Sequence, residues 1–242
     1  MKGVILAGGT GTRLSPCTNI FNKHLFPVHN RPMICYSLDT LVKGGITDIR
    51  IVLAKHFSGP FLDFLGDGRK FGAQLSYTIQ EKAGGIADAL SLVQDFAKGE
   101  KITVILGDNI FEQNIRNFVT LFKKQKKGAK FFLSSVSQPE RFGVPVFKNE
   151  KIISIEEKPK KPQSKFAVVG LYMYDSGVFD IIKNLKPSAR GELEITDVNN
   201  AFIKQELASY DILSGFWNDA GTFDSIYKCT QFLRNKANKK TF

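Results

Sequence analysis

Hydrophobic residues fall in short blocks along the first 135 residues, and the spacing within each block predicts one element. Continuous apolar runs are typical of strands buried on both faces, whereas apolar positions three and four residues apart are typical of amphipathic helices. The predicted strands are 2–7, 49–54, 73–79 and 102–106. The predicted helices are 32–43, with Pro32 in the first turn, 61–65 and 86–96.

The pattern changes after residue 135. Two apolar runs at 144–147 and 152–155 flank Lys148-Asn149-Glu150 and predict a hairpin, and the Lys- and Pro-rich stretch 158–165 predicts a loop. The remaining predicted elements are a strand at 166–174, helices at 176–184 and 192–205, a strand at 207–213 and a helix at 222–235.

Strands that alternate with helices predict βαβ units and a mostly parallel sheet covered on both faces. We therefore expect an α/β fold: a doubly wound, mostly parallel mixed sheet, with the hairpin as an insertion that faces the substrate. The chain shows no internal repeat and no long linker. We expect a single domain over 1–242, made of the halves 1–135 and 136–242.

Composition excludes several classes of protein. The 242 residues contain three cysteines without a CxxC pair and three histidines without HExxH spacing, which argues against a disulfide framework and a zinc site. No GxSxG sequence is present, so a serine hydrolase is disfavoured. The apolar runs are too short for a membrane span or a signal peptide, and we expect a soluble cytoplasmic protein that binds no membrane.

The chain is basic, with 34 Lys plus Arg against 23 Asp plus Glu and a formal charge of +11. Such an excess is compatible with nucleic acid, acidic lipid or a phosphorylated substrate. One lysine cluster lies at 123–130, and a second basic run occupies the last fifteen residues: Lys228, Arg234, Lys236, Lys239 and Lys240. We interpret both as solvated surface, and we expect no nucleic-acid binding because no RNP, helix-turn-helix or zinc-finger signature is present.

A glycine-rich loop follows the first predicted strand directly. In open α/β sheets, ligands bind at the carboxyl ends of the strands, and the loop 8–13 lies there. Its glycines allow backbone N–H groups to approach a phosphate chain. The loop matches neither the Walker A pattern nor GxGxxG, and a tight turn in which glycine serves only a positive φ remains the alternative.

Two further loops carry carboxylates. Asp108 follows the buried strand at 102–106, and Asp219 lies on a predicted turn at 217–222. Carboxylates without histidine suit a hard cation such as Mg²⁺ whose other ligands are phosphate oxygens and water. Asp108 could instead cap a helix beginning near Phe111. With Lys23, Lys158 and Arg190 as cations for the phosphates, this set indicates phosphoryl or nucleotidyl transfer.

Five sequence motifs together resemble one enzyme family. They are Leu6-Ala7-Gly8-Gly9-Thr10-Gly11-Thr12-Arg13-Leu14-Ser15-Pro16 with Lys23 and Pro27, Gly107-Asp108-Asn109-Ile110-Phe111, Pro139-Glu140-Arg141-Phe142-Gly143, Glu156-Glu157-Lys158-Pro159, and the stretch from Lys186 to Asp197. The first is similar to the signature of the sugar-1-phosphate nucleotidylyltransferases. The others resemble, within that family, the glucose-1-phosphate thymidylyltransferases. The motifs span nearly the whole chain.

The resemblance implies a Mg²⁺-dependent single displacement, in which the phosphate of glucose 1-phosphate attacks the α-phosphorus of dTTP and gives dTDP-glucose and pyrophosphate. The half 1–135 would bind the nucleotide and 136–242 the sugar. The implied catalytic residues are Arg13, Lys23, Asp108, Lys158, Arg190 and Asp219. The implied nucleotide contacts are Gly8, Gly9, Gly11, Thr12, Arg13, Lys23, Gln80 and Gly85. The implied sugar contacts are Asn109, Gly143, Glu157, Lys158, Val168, Tyr172 and Arg190. Asp108 and Asp219 would hold the Mg²⁺.

Two departures from the family pattern leave the substrates open. Asp88 stands where the family often has Gln, and Pro145 removes a backbone donor beside the implied sugar site. UTP or CTP, or an amino or deoxy sugar 1-phosphate, therefore remain alternatives. A basic nucleic-acid-binding domain and an inactive regulatory homologue are more remote ones.

The length of the chain carries an expectation about regulation. The chain ends about fifty residues before the longer members of the family, which carry a C-terminal helical extension with an allosteric nucleotide site. We therefore expect weak or absent inhibition by an end product such as dTDP-rhamnose. The resemblance also implies a homo-oligomer.

Overall fold

The computed structural model describes residues 1–238, and a seven-stranded sheet lies at its centre. The strands are β1 (Lys2–Ala7), β2 (Pro27–Val28), β3 (Arg31–Pro32), β4 (Asp48–Ala54), β5 (Gln74–Gln80), β6 (Ile102–Leu106), β7 (Asn109–Phe111), β8 (Ala129–Ser135), β9 (Gly143–Lys148), β10 (Lys151–Glu157), β11 (Phe166–Tyr174), β12 (Ala208–Ile212) and β13 (Trp217–Asp219). The helices are α1 (Ile34–Lys43), α2 (Gly59–Leu65), α3 (Ile86–Ser91), α4 (Gln94–Ala97), α5 (Arg116–Lys124), α6 (Gly177–Lys183), α7 (Ile195–Lys204) and α8 (Phe223–Asn238). Lys239 and Lys240 of the predicted basic run lie outside the described residues.

The central sheet is mixed and mostly parallel, as predicted. Its strand order is β12-β8-β11-β6-β1-β4-β5. The pairs β6–β1, β1–β4, β4–β5 and β8–β12 are parallel, and β11 is antiparallel to both of its neighbours. Six of the seven strands therefore run in one direction, and the loops after β1, β5 and β6 leave the sheet at one edge.

Helices cover both faces of the sheet, which is why its central strands are continuously apolar. Successive side chains of a strand point to opposite faces. Val4 and Leu6 of β1 pack in a cluster with α3, α4, α6 and α7, whereas Ile5 and Ala7 pack in a second cluster with α1, α2 and α5. A third cluster, which includes Leu14 and Cys229, packs the amino-terminal loop against α8.

The predicted strands and the hairpin of β9 and β10 are confirmed, and β11 has the predicted bounds. Three helix predictions were wrong in detail, and one of them, 192–205, begins only at Ile195 because Glu194 is still extended. Helix α1 begins at Ile34 because Arg31 and Pro32 pair with β2 as a short strand. The helix predicted at 86–96 is two helices, because Val93, with φ −111° and ψ 15°, interrupts it.

The short antiparallel pair of β7 and β13 was not predicted. It places Asp219 directly opposite Asn109, so two segments expected to be loops are held in a fixed register. The alternative role of Asp108 as a helix cap is wrong, because a strand follows it and α5 begins only at Arg116. Within residues 1–238, no helix combines the length and the apolar composition needed to cross a lipid bilayer.

Candidate active site

Three strand ends bring backbone and side chains together at the carboxyl edge of the sheet. The glycine-rich loop continues β1, Gln80 ends β5, and Gly107 and Asp108 follow β6. Two of the glycines have no positive φ, but the side chains of neighbouring residues lie close against them. A Cβ at Gly8 would lie 2.3 Å from Gln80 Oε1, and one at Gly107 would lie 2.8 Å from Cδ2 of the His24 ring.

Lys23 and Asp108 form an ion pair at the centre of this edge, with Nζ 2.5 Å from Oδ2. Both side chains are largely buried. Burial by itself raises the pKa of Asp108, but the Lys23 ammonium outweighs this effect and holds that pKa well below its usual range. Lys23 begins a short 3₁₀ helix that Asn22 caps by accepting the His24 N–H at 3.0 Å. The cap therefore fixes the backbone from which the ammonium reaches Asp108.

Asp219 lies beside this pair because of the β7–β13 ladder. The Ala220 N–H donates to the Asp108 carbonyl oxygen at 2.7 Å, and an Arg13 guanidinium nitrogen lies 3.6 Å from Asp219 Oδ2. Burial raises the pKa of Asp219, and the negative charge of Asp108 raises it further. Two carboxylates that repel each other in this way gain from a shared cation.

The donor chemistry at this point fits a divalent cation. Asp108 and Asp219 supply hard oxygen ligands, and residues 1–238 contain no cluster of three or more His, Cys, Asp and Glu side chains that could bind a metal without further ligands. A cation held here would therefore take its remaining ligands from phosphate oxygens and water, which is the usual environment of Mg²⁺.

A cavity of about 250 Å³ opens between the glycine-rich loop and the start of α3. Its charged and polar side chains include Lys23, His24, Gln80, Asp108 and Glu192, and Gly8, Gly9, Thr10 and Gly85 line it as well. Gly85 has a φ of 98°, and a Cβ there would lie 2.5 Å from the Leu193 carbonyl oxygen. Only glycine fits this position, because both the dihedral angle and the space exclude a side chain.

A second cavity of about 430 Å³ lies on the other side of Asp108. Every residue that the family resemblance implies for the sugar lines it: Asn109, Gly143, Glu157, Lys158, Val168, Tyr172 and Arg190. Glu157 accepts a hydrogen bond from the Thr196 hydroxyl at 2.7 Å, and it lies 3.2 Å from Lys158 Nζ and 3.6 Å from Arg190. The cavity thus holds a carboxylate and two cations side by side.

The two cavities adjoin, since Ile86, Leu106, Asp108 and Glu192 line both of them. A molecule in the smaller cavity and one in the larger would meet beside the Asp108 carboxylate. This arrangement suits the joining of two phosphate-bearing substrates at a shared cation.

Three predicted nucleotide contacts lie elsewhere. Gly11 lines neither cavity among the described residues, and Thr12 lines a separate one with Ser15 and His56. Arg13 lines the larger cavity and not the smaller. Their roles toward a nucleotide remain predictions.

Asn109 lines the larger cavity with a side chain whose hydrogen-bonding atoms are already engaged. Its Oδ1 accepts hydrogen bonds from the Gly170 N–H at 3.0 Å and the Trp217 indole at 2.8 Å, and its Nδ2 donates to Asp108 Oδ1 at 2.9 Å. Asn109 therefore ties β11 and β13 to the Asp108 carboxylate.

Several lining residues were absent from the prediction: Arg141, Phe142, Glu192, Thr196 and Trp217. The rings of Phe142 and Trp217 meet edge to face with centroids 5.3 Å apart and form one wall. All five lie in or beside sequence motifs that were noted, but their types alone did not separate them from neighbouring structural residues.

Comparisons with known proteins identify the family of this chain. A family model described as nucleotidyl transferase matches residues 2–236. A curated glucose-1-phosphate thymidylyltransferase from Neisseria meningitidis serogroup A is 43% identical over 242 residues, covering 98% of this chain and 84% of the relative. Another from Mycolicibacterium smegmatis is 40% identical and covers 97% of this chain and 82% of the relative.

Solved structures agree as well. A chain from Bacillus anthracis, described as a glucose-1-phosphate thymidylyltransferase and solved with sucrose, superposes with a TM-score of 0.93 at 53% identity and covers 97% of this chain and 95% of that one. A UDP-glucose pyrophosphorylase with a TM-score of 0.84 and 21% identity, covering 97% of this chain and 98% of that one, shares the fold. The chain belongs to the nucleotidyl transferase family. The family and the enzyme class predicted from the motifs are thereby confirmed.

Proposed function

We propose that this enzyme makes dTDP-glucose and pyrophosphate from dTTP and glucose 1-phosphate. The observation that carries the proposal is the pair of adjoining cavities that meet at Asp108. The smaller one, walled by glycine backbone and Gln80, has the character of a nucleotide site, and the larger one holds the Glu157, Lys158 and Arg190 set. The relatives named glucose-1-phosphate thymidylyltransferase support the same pair of substrates.

The reaction needs positioning and charge neutralisation rather than a covalent nucleophile. A phosphate oxygen of glucose 1-phosphate, held by Lys158 and Arg190, forms a bond to the α-phosphorus of dTTP. The bond from that phosphorus to the bridging oxygen breaks, and pyrophosphate leaves with the electron pair. Lys23 stabilises charge at the α-phosphate. The family resemblance gives Arg13 the charge on the leaving group, although its guanidinium lines the larger cavity and lies 3.6 Å from Asp219.

Asp108 and Asp219 would hold a Mg²⁺ ion in this reaction. When bound, the ion supplies positive charge to the phosphate oxygens on which negative charge develops. Lys23 forms an ion pair with Asp108 in the described structure. As substrates bind, the Lys23 ammonium would leave the Asp108 carboxylate and pair with a phosphate instead. The homo-oligomer implied by the family resemblance remains a prediction, as do the cytoplasmic location and the lack of nucleic-acid binding inferred from the sequence.

A pyrophosphate-release assay tests the proposal. It crosses dTTP, UTP, CTP, ATP and GTP with glucose 1-phosphate and with amino and deoxy sugar 1-phosphates, with and without Mg²⁺. We expect the highest kcat/KM for dTTP with glucose 1-phosphate, and no release without the metal. Absence of release with every pair would refute the enzyme assignment.

Variants of the two carboxylates test the metal assignment. Asp108→Asn and Asp219→Asn should each lower kcat by about 10²-fold or more, because each removes a carboxylate that would hold the cation whose positive charge stabilises the transition state. Asp211→Asn is the matched control, since Asp211 also pairs with a lysine, Lys130, but lines neither cavity. Equal rates for all three variants would contradict the assignment.

A further inference from the structure

The Asp88 carboxylate lies behind the wall of the smaller cavity and makes no ion pair with a residue in 1–238. It belongs to the first turn of α3, whose Ile86 and Ala89 line that cavity while Asp88 does not. An uncompensated negative charge beside a site for a triphosphate is unfavourable. Its carboxylate is held instead by a contact other than an ion pair.

That contact is a hydrogen bond to Gln80. The amide Nε2 of Gln80 donates to Asp88 Oδ2 at 2.7 Å, and the Gly85 carbonyl oxygen lies 3.5 Å from the same nitrogen. A carboxylate and a carbonyl oxygen can only accept hydrogen bonds, so both require the NH₂ end of the amide to face them. Only one of the two amide orientations is therefore compatible with these neighbours.

The fixed orientation leaves Gln80 Oε1 pointing toward the glycine-rich loop. A Cβ at Gly8 would lie 2.3 Å from this oxygen, and no residue in 1–238 donates a hydrogen bond to it. The Gln80 side chain is otherwise buried, with 6% of the residue exposed. The cavity thus presents a hydrogen-bond acceptor whose direction is set from outside the cavity.

We propose that Asp88 is a positioning residue that locks the Gln80 amide with its acceptor oxygen toward the bound base and so makes the enzyme selective for bases with an imide N–H. The inference rests on the proposed function. Thymine and uracil carry a donor at N3, which pairs with Oε1. Cytosine carries an acceptor there, and a site built for a hydrogen bond rejects an analogue that leaves it unmade.

The surrounding backbone is shaped around this carboxylate. A Cβ at Gly84 would lie 2.5 Å from Asp88 Cγ and 2.6 Å from Oδ2. Gly84 is not among the residues with positive φ, so its backbone conformation alone does not require glycine. A side chain at position 84 would instead collide with the Asp88 carboxylate in its described position.

The test measures kcat/KM for dTTP, dUTP and dCTP, which share one sugar. We expect Asp88→Ala to lower the ratio of kcat/KM for dTTP to kcat/KM for dCTP by tenfold or more. The Gln80 amide is then free to rotate and can turn its NH₂ group toward cytosine N3. Asp88→Asn, which can still accept through Oδ1, should keep the ratio within about threefold of wild type. The KM for the sugar phosphate should not change. In every variant, kcat/KM for dUTP should change by the same factor as kcat/KM for dTTP.

A double variant shows whether Asp88 acts through Gln80. In a Gln80→Ala background, Asp88→Ala should change the dTTP to dCTP ratio no further, since the two residues form one unit. The proposal would be overturned if Asp88→Ala left the dTTP to dCTP ratio of kcat/KM unchanged, including by lowering both values equally. It would also be overturned if Asp88→Ala lowered that ratio further in the Gln80→Ala background.

Two further measurements keep the test independent of folding and of turnover. Gly84→Ala displaces the carboxylate without removing it, so it should narrow the same ratio even if Asp88→Ala does not fold. Calorimetric binding of dTTP and dCTP in the absence of sugar phosphate should give the same change in preference. An enzyme without turnover but with this binding preference would refute the proposed function and leave the role of Asp88 standing.

Discussion

At the level of single residues, the site cations are already paired with carboxylates in the described structure. Lys23 pairs with Asp108, Arg13 lies near Asp219, and Arg190 pairs with Glu194 at 2.9 Å. For the buried Lys23, pairing avoids the cost of an isolated charge, and for the half-exposed Arg13 and Arg190 it holds a long side chain in place. Substrate phosphates therefore enter a site whose cations are preorganised and need only exchange partners.

His24 is a buried residue beside the ion pair with a testable effect on stability. Burial lowers the pKa of His24 to about 3, and the neighbouring Lys23 charge lowers it as well. The folded state therefore keeps this imidazole neutral while the unfolded state takes up a proton near pH 6.5. The contribution of His24 to the free energy of unfolding is therefore fully present above pH 6.5 and is lost as the pH drops toward 3. We expect a loss of about 1 kcal/mol between pH 6 and pH 5 from this group.

Urea unfolding of wild type and His24→Gln at pH 7, 6 and 5 measures this effect. The variant should lose less of its free energy of unfolding between pH 6 and pH 5 than wild type does. The His56→Gln variant, which removes an exposed imidazole, should behave as wild type. Parallel pH curves for wild type and His24→Gln would contradict the assignment.

At the level of elements, the buried strands were predictable because they carry their own signal. Strand β11 is nine residues of nearly unbroken apolar sequence and has the predicted bounds. Strands β7 and β13 have three residues each, too few to show an alternation, and they exist because each pairs with the other across more than 100 residues of chain. Such long-range pairing has no local signature.

The site was predictable in its residue types and not in its contacts. The sequence pointed to Lys23 and Asp108 within motifs and to Asp219 on a predicted turn, and the structure brings all three together. The motifs did not show that Arg13 would lie near Asp219 or that Asp88 would bind Gln80, because these contacts depend on side-chain directions set by packing. The pattern of charges likewise could not reveal that the Asn109 side chain is engaged within the protein.

The loop before α3 gives a prediction about backbone conformation. Gly85→Ala should destabilise the protein by roughly 2 to 3 kcal/mol, since it combines a positive φ with a Cβ placed 2.5 Å from the Leu193 carbonyl oxygen. It should also raise the KM for dTTP, because the loop borders the smaller cavity.

Gly99→Ala is the matched control for this prediction. Gly99 has a φ of 77° but no heavy atom within 4 Å of an added Cβ. Gly99→Ala should lower the free energy of unfolding by only about 1 kcal/mol, because the positive φ is its sole unfavourable feature. It should leave the KM for dTTP unchanged. Urea unfolding and initial rates with varied dTTP measure both variants. Equal losses would show that the contact with Leu193 adds nothing.

At the level of the whole molecule, the lysine-rich segments that make the chain basic lie outside the candidate active site. The formal charge of +11 includes the lysines after α5 and along α8, which line neither of the two adjoining cavities. Within the cavities, acidic residues such as Glu157, Glu192 and Asp219 stand beside the cations. The attraction for phosphates is therefore local, and it depends on the two halves of the chain meeting in one sheet.

A product that spans both cavities should stabilise the molecule more than either part of it. At about 100 times its Kd, dTDP-glucose should add about 2.7 kcal/mol and raise Tm by roughly 5 to 10 °C. dTDP at the same concentration should give a smaller shift. Glu157→Gln, in the larger cavity, should reduce the dTDP-glucose shift to nearly that of dTDP and leave the dTDP shift unchanged.

Glu156→Gln is the control, because Glu156 is the neighbouring residue of β10 and does not line the larger cavity. Thermal melts of the three proteins with each ligand distinguish the two cavities, since only the sugar-dependent part of the shift should respond to Glu157. A Glu157→Gln protein that loses the dTDP shift in equal measure would mean that the larger cavity also receives the nucleotide. The assignment of one substrate to each cavity would then be wrong.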